Sequence, residues 1–331
     1  MTSTAVIQTK QGIGDVMWHL PFIRAIAAST PERAVTFLTL PSSFARDLLS
    51  GEACVAETIY YENRGSEFAR GLHLARLIGT LRARRFKALW ILDRSVRPAI
   101  AALAAGIPNR IGLGFGQQQL FITNPGIDAR YRPEHPIEWL KALMAAMALP
   151  LPDTEPNLTL PPSLLADMLQ RYGDRPRPWT VLGIGASRPN HDWSDAQWSA
   201  FLEGLRARSR GTVFLVGGPA NAARAEALIG AGGGAEVNAC ALSIVQSAAL
   251  IRHADLYVGP DSGPLNVAAA VGTPAYGLFA TTSVLNYSRF IHPILPDDGR
   301  CAPDGMTRTS PSRVLDAIAP QLASPAASTP G

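Results

Sequence analysis

Short strand-like and helix-like segments alternate along this chain of 331 residues twice over, and few folds accommodate that pattern. Apolar, β-prone runs at residues 5–9, 35–40, 57–60 and 88–92 are separated by helix-like stretches at 20–28, 43–49 and 68–82, with a short helix at 99–105 and a turn at Pro108-Asn109. Pro133 and Pro136 precede a strongly apolar helix over 139–149. The second half repeats the pattern, with strands expected at 180–184, 212–216, 237–238, 256–258 and 275–279 and helices at 195–208, 220–229, 244–251 and 265–271. Such alternation builds a mostly parallel sheet covered by helices on both faces. Two runs of it, joined through the proline-rich stretch 151–162, predict an α/β chain of two Rossmann-like domains, 1–160 and 161–309. A helix over 310–322, opened by Ser310 and Pro311, is expected to pack back on the first domain. The tail 323–331, made of Ala, Ser, Pro, Thr and Gly, is expected to be flexible.

Ligands of parallel sheets bind outside the C-terminal ends of the strands. Gly185, Gly217-Gly218, Asp261 and the 279–283 loop all fall at such ends, so four distant segments are expected to converge. Among them, Gly259-Pro260-Asp261-Ser262-Gly263-Pro264 sets a carboxylate, a hydroxyl and a glycine turn between a strand and a helix. The free amides and positive dipole end of a helix start hold phosphate or diphosphate, although an ordinary capped turn uses the same residue types. A second glycine turn, Gln11-Gly12-Ile13-Gly14-Asp15, lacks the three-glycine dinucleotide spacing, and Asp15 would repel an incoming diphosphate. A negative charge at a helix head is stabilised there, so Asp15 suits a base; the alternative is that it only caps the helix.

Composition excludes several classes. With 47% hydrophobic and 17% charged residues the chain fills two substantial cores. A net charge of +4 without a dense basic tract argues against nucleic acid and suits anionic sugars, phosphates or membrane surfaces. Cys54, Cys240 and Cys301 are too few and too scattered for a disulfide framework or structural zinc, which points to a reducing compartment. The first residues do not read as a leader, and no apolar run reaches the roughly 18 residues of a membrane span, so a cytoplasmic protein is expected. Surface attachment would go through Trp90, Trp139, Phe115 or nearby arginines, although packing is the commoner role of such aromatics. Arg82, Arg84, Arg85 and Lys87 form the densest basic patch, read as a solvated helix end or an acidic-membrane contact. Asp297-Asp298 and the isolated histidines form no metal set, and His253-Ala254-Asp255 lacks a nucleophile.

Taken together, Gly12 to Val16 with His19-Leu20-Pro21, Gly185 to Asn190 with Trp193, Val216-Gly217-Gly218, Gly259 to Pro264 with Ala268-Ala269, Gly272-Thr273-Pro274 and Leu278-Phe279 resemble the heptosyltransferase family of lipopolysaccharide biosynthesis, glycosyltransferase family 9, over about residues 5–320. The resemblance implies a GT-B fold, two Rossmann-like domains facing a cleft. It also implies inverting, metal-free transfer of heptose from ADP-L-glycero-D-manno-heptose to an inner-core or related glycan acceptor, at the cytoplasmic face of the inner membrane. Inversion needs a base at the acceptor hydroxyl and donors at the departing diphosphate. Asp15 matches the family's aspartate and takes the first role. Gly185, Ser187, Arg188, His191, Gly217, Asp261, Ser262, Gly263 and Asn266 fall to the donor, and Lys10, Gly12, Gly14 and His19 to the acceptor, although a histidine on an apolar helix is more often packed than functional. The chain departs from the pattern at His191, where many relatives carry lysine, at Asn266, where histidine is usual, and at residues 280–283. Another nucleotide sugar, or a catalytically silent nucleotide-binding or assembly role, remains the alternative.

Overall fold

The structure, a computed structural model, describes residues 2–151, 153–186, 188–230, 235–280, 284 and 287–323, and it divides into two compact units, Met1–Pro156 and Asn157–Gly331. In the first unit β1 (Thr4–Ile7), β2 (Val35–Thr39), β3 (Val55–Tyr60), β4 (Ala88–Ile91) and β5 (Asn109–Ile111) form a parallel sheet in the order β3-β2-β1-β4-β5. β1 and β2 are buried along their whole length, as central parallel strands covered on both faces must be. α3 (Glu67–Arg84) and α4 (Arg97–Ala104) enclose a core of Ile7, Leu38, Leu77, Leu81, Phe86 and Ile91. α1 (Ile13–Ala28) packs with α5 (Pro136–Ala146), and α2 (Ala45–Leu48) completes the unit.

Two sequence expectations need correction in this unit. The first helix begins at Ile13 rather than at residue 20, because Pro21 lies inside the helix and not at its start. A strand follows directly on Pro108, where only a turn was expected; β5 is short and pairs only with β4, and such an edge strand tolerates the polar Asn109 and Arg110. Trp90, Trp139 and Phe115, the expected surface anchors, are buried in the unit. Arg84 of the basic patch is engaged by Glu57, at 2.5 and 2.7 Å, and Arg82 donates to the Ala104 carbonyl.

The second unit is built from α6 (Pro162–Tyr172), β6 (Thr180–Gly183), α7 (Asp195–Arg208), β7 (Val213–Val216), α8 (Ala222–Ile229) and β8 (Glu236–Asn238), followed by α9 (Ile244–His253), β9 (Leu256–Pro260), α10 (Gly263–Ala270), β10 (Ala275–Leu278), β11 (Ile291–Ile294) and α11 (Pro311–Ala323). Its six strands are parallel in the order β11-β10-β9-β6-β7-β8. Capping boxes fix the starts of α7, through Ser194 and Gln197, and α9, through Ser243 and Gln246. α6 and β11 were not expected. Prolines hide both: Pro162 opens α6 at the position where a missing N–H costs nothing, and Pro293 is tolerated because β11 lies at the sheet edge.

Trp193, Trp198 and Phe201 interlock in the core, the two indoles at 5.0 Å between ring centroids. Neither tryptophan is exposed. The C-terminal helix was expected to return to the first domain. Its apolar face, Val314, Leu315 and Ile318, is instead part of the second unit's core against α7, where Leu315 Cδ1 fills the space beside Gly204. The tail beyond residue 323 lies outside the described residues.

Candidate functional site

Both sheets reverse their strand order once, and polar residues gather at both reversals. In the second unit the reversal lies between β6 and β9. The chain leaves β6 through Gly185, whose φ of +89° favours glycine, and a Cβ there would meet the Asn221 amide at 2.7 Å. The Gly185 N–H donates to Asp192 Oδ2 at 2.9 Å. Asp192 Oδ1 accepts from the Trp193 N–H and the Trp198 indole at 2.9 and 3.1 Å, and Arg224 closes the cluster on Oδ2 at 2.5 Å. A nearly buried carboxylate thus ties the loop after β6 to the helices behind it. Arg188 is exposed, and its carbonyl accepts from the His191 N–H at 3.0 Å in a short 3-10 turn, Pro189–His191.

The loop after β7 begins with Gly217, where a Cβ would lie 2.4 Å from the Ile184 carbonyl, and Asn221 Nδ2 donates to the Gly217 carbonyl at 2.7 Å. After β9, the Asp261 N–H donates to the Leu278 carbonyl at 3.3 Å. Ser262 stands at the N-cap of α10 in extended conformation, and its side chain makes no capping bond. Gly263 is the first helical residue, and buried Asn266 donates from Nδ2 to the Ser262 carbonyl at 2.8 Å. Gly185, Gly217, Asp261, Ser262, Gly263 and Asn266 therefore do lie along the C-terminal edge of one sheet, with Arg188 and His191 on the β6 loop. Ser187 and residues 281–283 lie outside the described residues.

In the first unit the reversal falls between β1 and β4. Asp15 sits in the first turn of α1, half-buried, with Oδ2 accepting the Gly12 N–H at 3.1 Å. A Cβ on Gly12 would stand 2.9 Å from that oxygen, so glycine lets the carboxylate close over the turn. Gly14 is the second helical residue, and Lys10 is exposed just ahead of the turn. His19 is only 5% exposed and donates from Nδ1 to Gln8 Oε1, and Gln8 Nε2 donates on to Thr39 Oγ1 at 3.1 Å. Burial holds the His19 imidazole below its ordinary range, against the pull of Asp15 and Asp93. His19, grouped with the acceptor residues on sequence, is thus a buried support beneath the helix start.

Asp93, at the end of β4, was not singled out on sequence. It accepts the Thr9 N–H at 2.6 Å and the Ser95 N–H at 2.8 Å, while Gln118 Nε2 donates to the Asp93 and Ser95 carbonyls. Half-buried Tyr61, whose hydroxyl donates to the Gln8 carbonyl at 3.0 Å, has its phenol pushed upward by desolvation. His135, the N-cap of α5, is held low by burial against the charges of Glu138 and Asp15. Beside this network opens a pocket of about 300 Å³ lined by Thr9, Tyr61, Arg70, His73, Ser95 and Arg97. Arg70 pairs with Glu67 but keeps a buried Nε without a partner among the described residues. Applying the strand-end rule to the first half would have found Asp93, while the fold gathers Arg70 and His73 of α3 and Arg97 of α4 around the pocket beside it.

Among the described residues no three His, Cys, Asp or Glu side chains are grouped as metal ligands, and no helix is long and apolar enough to cross a membrane. Known proteins share this fold. The chain aligns along 98% of its length with all of an Escherichia coli ADP-heptose lipopolysaccharide heptosyltransferase II, at 21% identity and a TM-score of 0.75. A glycosyltransferase family 9 protein of Veillonella parvula aligns over 97% of both chains at 15% identity and a TM-score of 0.76. An E. coli heptosyltransferase solved with ADP-2-deoxy-2-fluoro heptose aligns over 95% of this chain and 98% of its own at 17% identity and a TM-score of 0.74. These likenesses establish the fold as two successive Rossmann-like units of the GT-B class. In sequence the chain is 36% identical over 94 residues to the E. coli lipopolysaccharide heptosyltransferase 3, a match covering 27% of this chain and only 27% of that relative. Residues 74–296 match the profile of glycosyltransferase family 9 (heptosyltransferase), and the chain belongs to that family.

Proposed function

We propose that this chain is an inverting glycosyltransferase that moves a heptose from ADP-L-glycero-D-manno-heptose to a hydroxyl of a lipopolysaccharide inner-core or related glycan. The observation that carries the reading is the β9–α10 turn, where the head of a helix offers its amides beside an uncommitted Ser262 hydroxyl. The donor's diphosphate rests there, with Gly185, Gly217, Arg188 and His191 along the same edge. The acceptor oxygen attacks the anomeric carbon, the bond from that carbon to the diphosphate oxygen breaks, and the acceptor proton passes to Asp15. Gly12 fixes one carboxylate oxygen of Asp15; Oδ1 makes no hydrogen bond to any described residue.

The pocket holding Arg70, Arg97 and His73 suits a carboxylate or phosphate of the acceptor. On α3, Phe68 and Leu72 are exposed one turn apart with exposed Arg76 one turn further on, a spacing that sets apolar and basic residues on one stripe. That stripe fits peripheral contact with an anionic membrane, at the cytoplasmic face of the inner membrane where the acceptor is held. A second reading, another nucleotide sugar, is favoured by His191 and Asn266 standing where many relatives carry lysine and histidine.

Incubation with ADP-heptose and a truncated inner-core acceptor is expected to release ADP and lengthen the glycan, while UDP- and GDP-sugars give no product. Product from a UDP- or GDP-sugar instead would favour the second reading. ADP binding without turnover on any acceptor tried would leave a silent binding protein.

A further inference from the structure

The polar groups beneath the donor turn include one that the proposed reaction does not yet use. Tyr257 lies on β9 with its ring fully buried. Side chains two apart on a strand share a face, so the phenol passes over Gly259 toward the C-terminal edge. β6 and β9 pair Leu182 with Val258, which sets Gly183 beside Gly259. A Cβ at Gly183 would stand 1.8 Å from the Tyr257 hydroxyl oxygen, and one at Gly259 2.4 Å from it. Both strands therefore lack side chains at the point where the hydroxyl emerges, on the line where the strand order reverses.

Neither that hydroxyl nor the Ser262 Oγ completes a hydrogen bond of normal geometry to a described residue, although both atoms are buried and each lies within reach of the other. Leaving one such group unsatisfied costs about 1–3 kcal/mol, and two at one helix head call for a ligand. The serine is not occupied as a cap. Pro264 at the second helical position has no N–H to offer it, and no side-chain capping bond forms. Asn266 meanwhile holds the Ser262 backbone through its carbonyl. Desolvation keeps the phenol protonated, so its proton is available to donate.

We propose that Tyr257 is a positioning residue for the donor: its hydroxyl donates to Ser262 Oγ, which turns the serine's own proton outward onto a phosphate oxygen of the nucleotide. This rests on the donor site proposed above. The position is specific to a phosphate, since the relay ends in a donor and the adjoining helix head adds positive potential.

Titration calorimetry of the full-length protein with ADP and with adenosine tests it. Tyr257→Phe is expected to weaken ADP about fivefold, the scale of one hydrogen bond, with adenosine affinity and melting temperature held. Ser262→Ala is expected to weaken ADP at least as much, and the double variant no further than Ser262→Ala alone, because both act through one contact. Unchanged ADP affinity in Tyr257→Phe, equal loss for ADP and adenosine, or additive losses in the double variant would each overturn the relay. Should Tyr257→Phe melt early, the ratio of ADP to adenosine affinity in its folded fraction still decides. A wild-type protein that binds no ADP overturns the donor site and the relay together, whereas ADP binding indifferent to Tyr257→Phe overturns the relay alone.

Discussion

The two strand-order reversals are alike in topology and opposite in preparation. At β1/β4 the sequence supplies polar side chains and bonds them to one another: Asp93 to Thr9 and Ser95, Gln118 to Asp93 and Ser95, His19 to Gln8, Asp15 to Gly12. At β6/β9 it removes side chains, through Gly183, Gly185, Gly217, Gly259 and Gly263, and leaves two buried hydroxyls uncommitted. A Rossmann-like edge can thus be fitted for proton chemistry by fixing a carboxylate in a bonded lattice, or for an anion by clearing room for backbone amides. The difference assigns the base to the first unit and the diphosphate to the second in the proposed reaction.

The largest expected effect strikes the carboxylate cluster at Asp192 in the second unit. Asp192→Ala strips three donors of their acceptor and leaves Arg224 only Asp195 as a carboxylate partner, and removing one partner of a buried pair costs about 3–5 kcal/mol. Because Arg224 keeps some exposure, the lower end is expected, read as a lowered denaturation midpoint together with weakened ADP binding. A variant with wild-type stability and ADP affinity would show that the donor edge does not depend on that cluster.

Next, Asp15→Asn is expected to reduce turnover at saturating substrates about a hundredfold or more, while ADP affinity and the melting curve hold, since asparagine can also accept the Gly12 N–H. Near-normal turnover would reduce Asp15 to a helix cap and erase the contrast between the two edges. Arg97→Ala, at the acceptor pocket, should raise the acceptor KM about tenfold, the scale of one lost charge-assisted bond, with the donor KM unmoved; a change in donor KM instead would misplace the pocket.

The smallest effect is a pH dependence. His19, His135, His253 and His292 are all held below the ordinary imidazole range, chiefly by burial. The unfolded chain therefore takes up protons near the ordinary value of 6.5, before the folded chain does. The stability these neutral imidazoles contribute is present above that value and is lost as the pH falls below it. Melting temperature should decline from pH 7 to 5.5, and His19→Asn should flatten the decline. A slope identical in that variant would exclude His19 as a contributor.

Much of the candidate site was legible in the sequence because turn residues name their own geometry. Gly12 before Asp15, Gly185, and Gly259 through Pro264 mark strand-to-helix turns at particular places, and each lies at the C-terminal edge of its sheet. Prolines misled the reading where position outweighed identity: Pro21 sits mid-helix, Pro162 opens a helix, and Pro293 lies on an edge strand. Asp192 carried no motif signal, because its importance comes from the donors that converge on it, Arg224 from 32 residues away, whereas Asp93 stands just past a strand end that the strand-end rule marks.

The sequence by itself determined the period of alternation, and with it two parallel sheets, together with the family motifs and the turns where substrates would be held. Propensity, turn chemistry and hydrophobic period are local properties that a linear chain records in full. Only the tertiary structure decided that His19 is buried and not presented, that α11 closes the second unit's core, and that Trp90, Trp139 and Phe115 are enclosed. Those outcomes depend on which strands become neighbours. So does the placement of the Tyr257 hydroxyl over Gly183, a residue 74 positions earlier in the chain. Adjacency across a sheet is set by the packing of the whole unit, and no stretch of sequence short enough to read locally contains it.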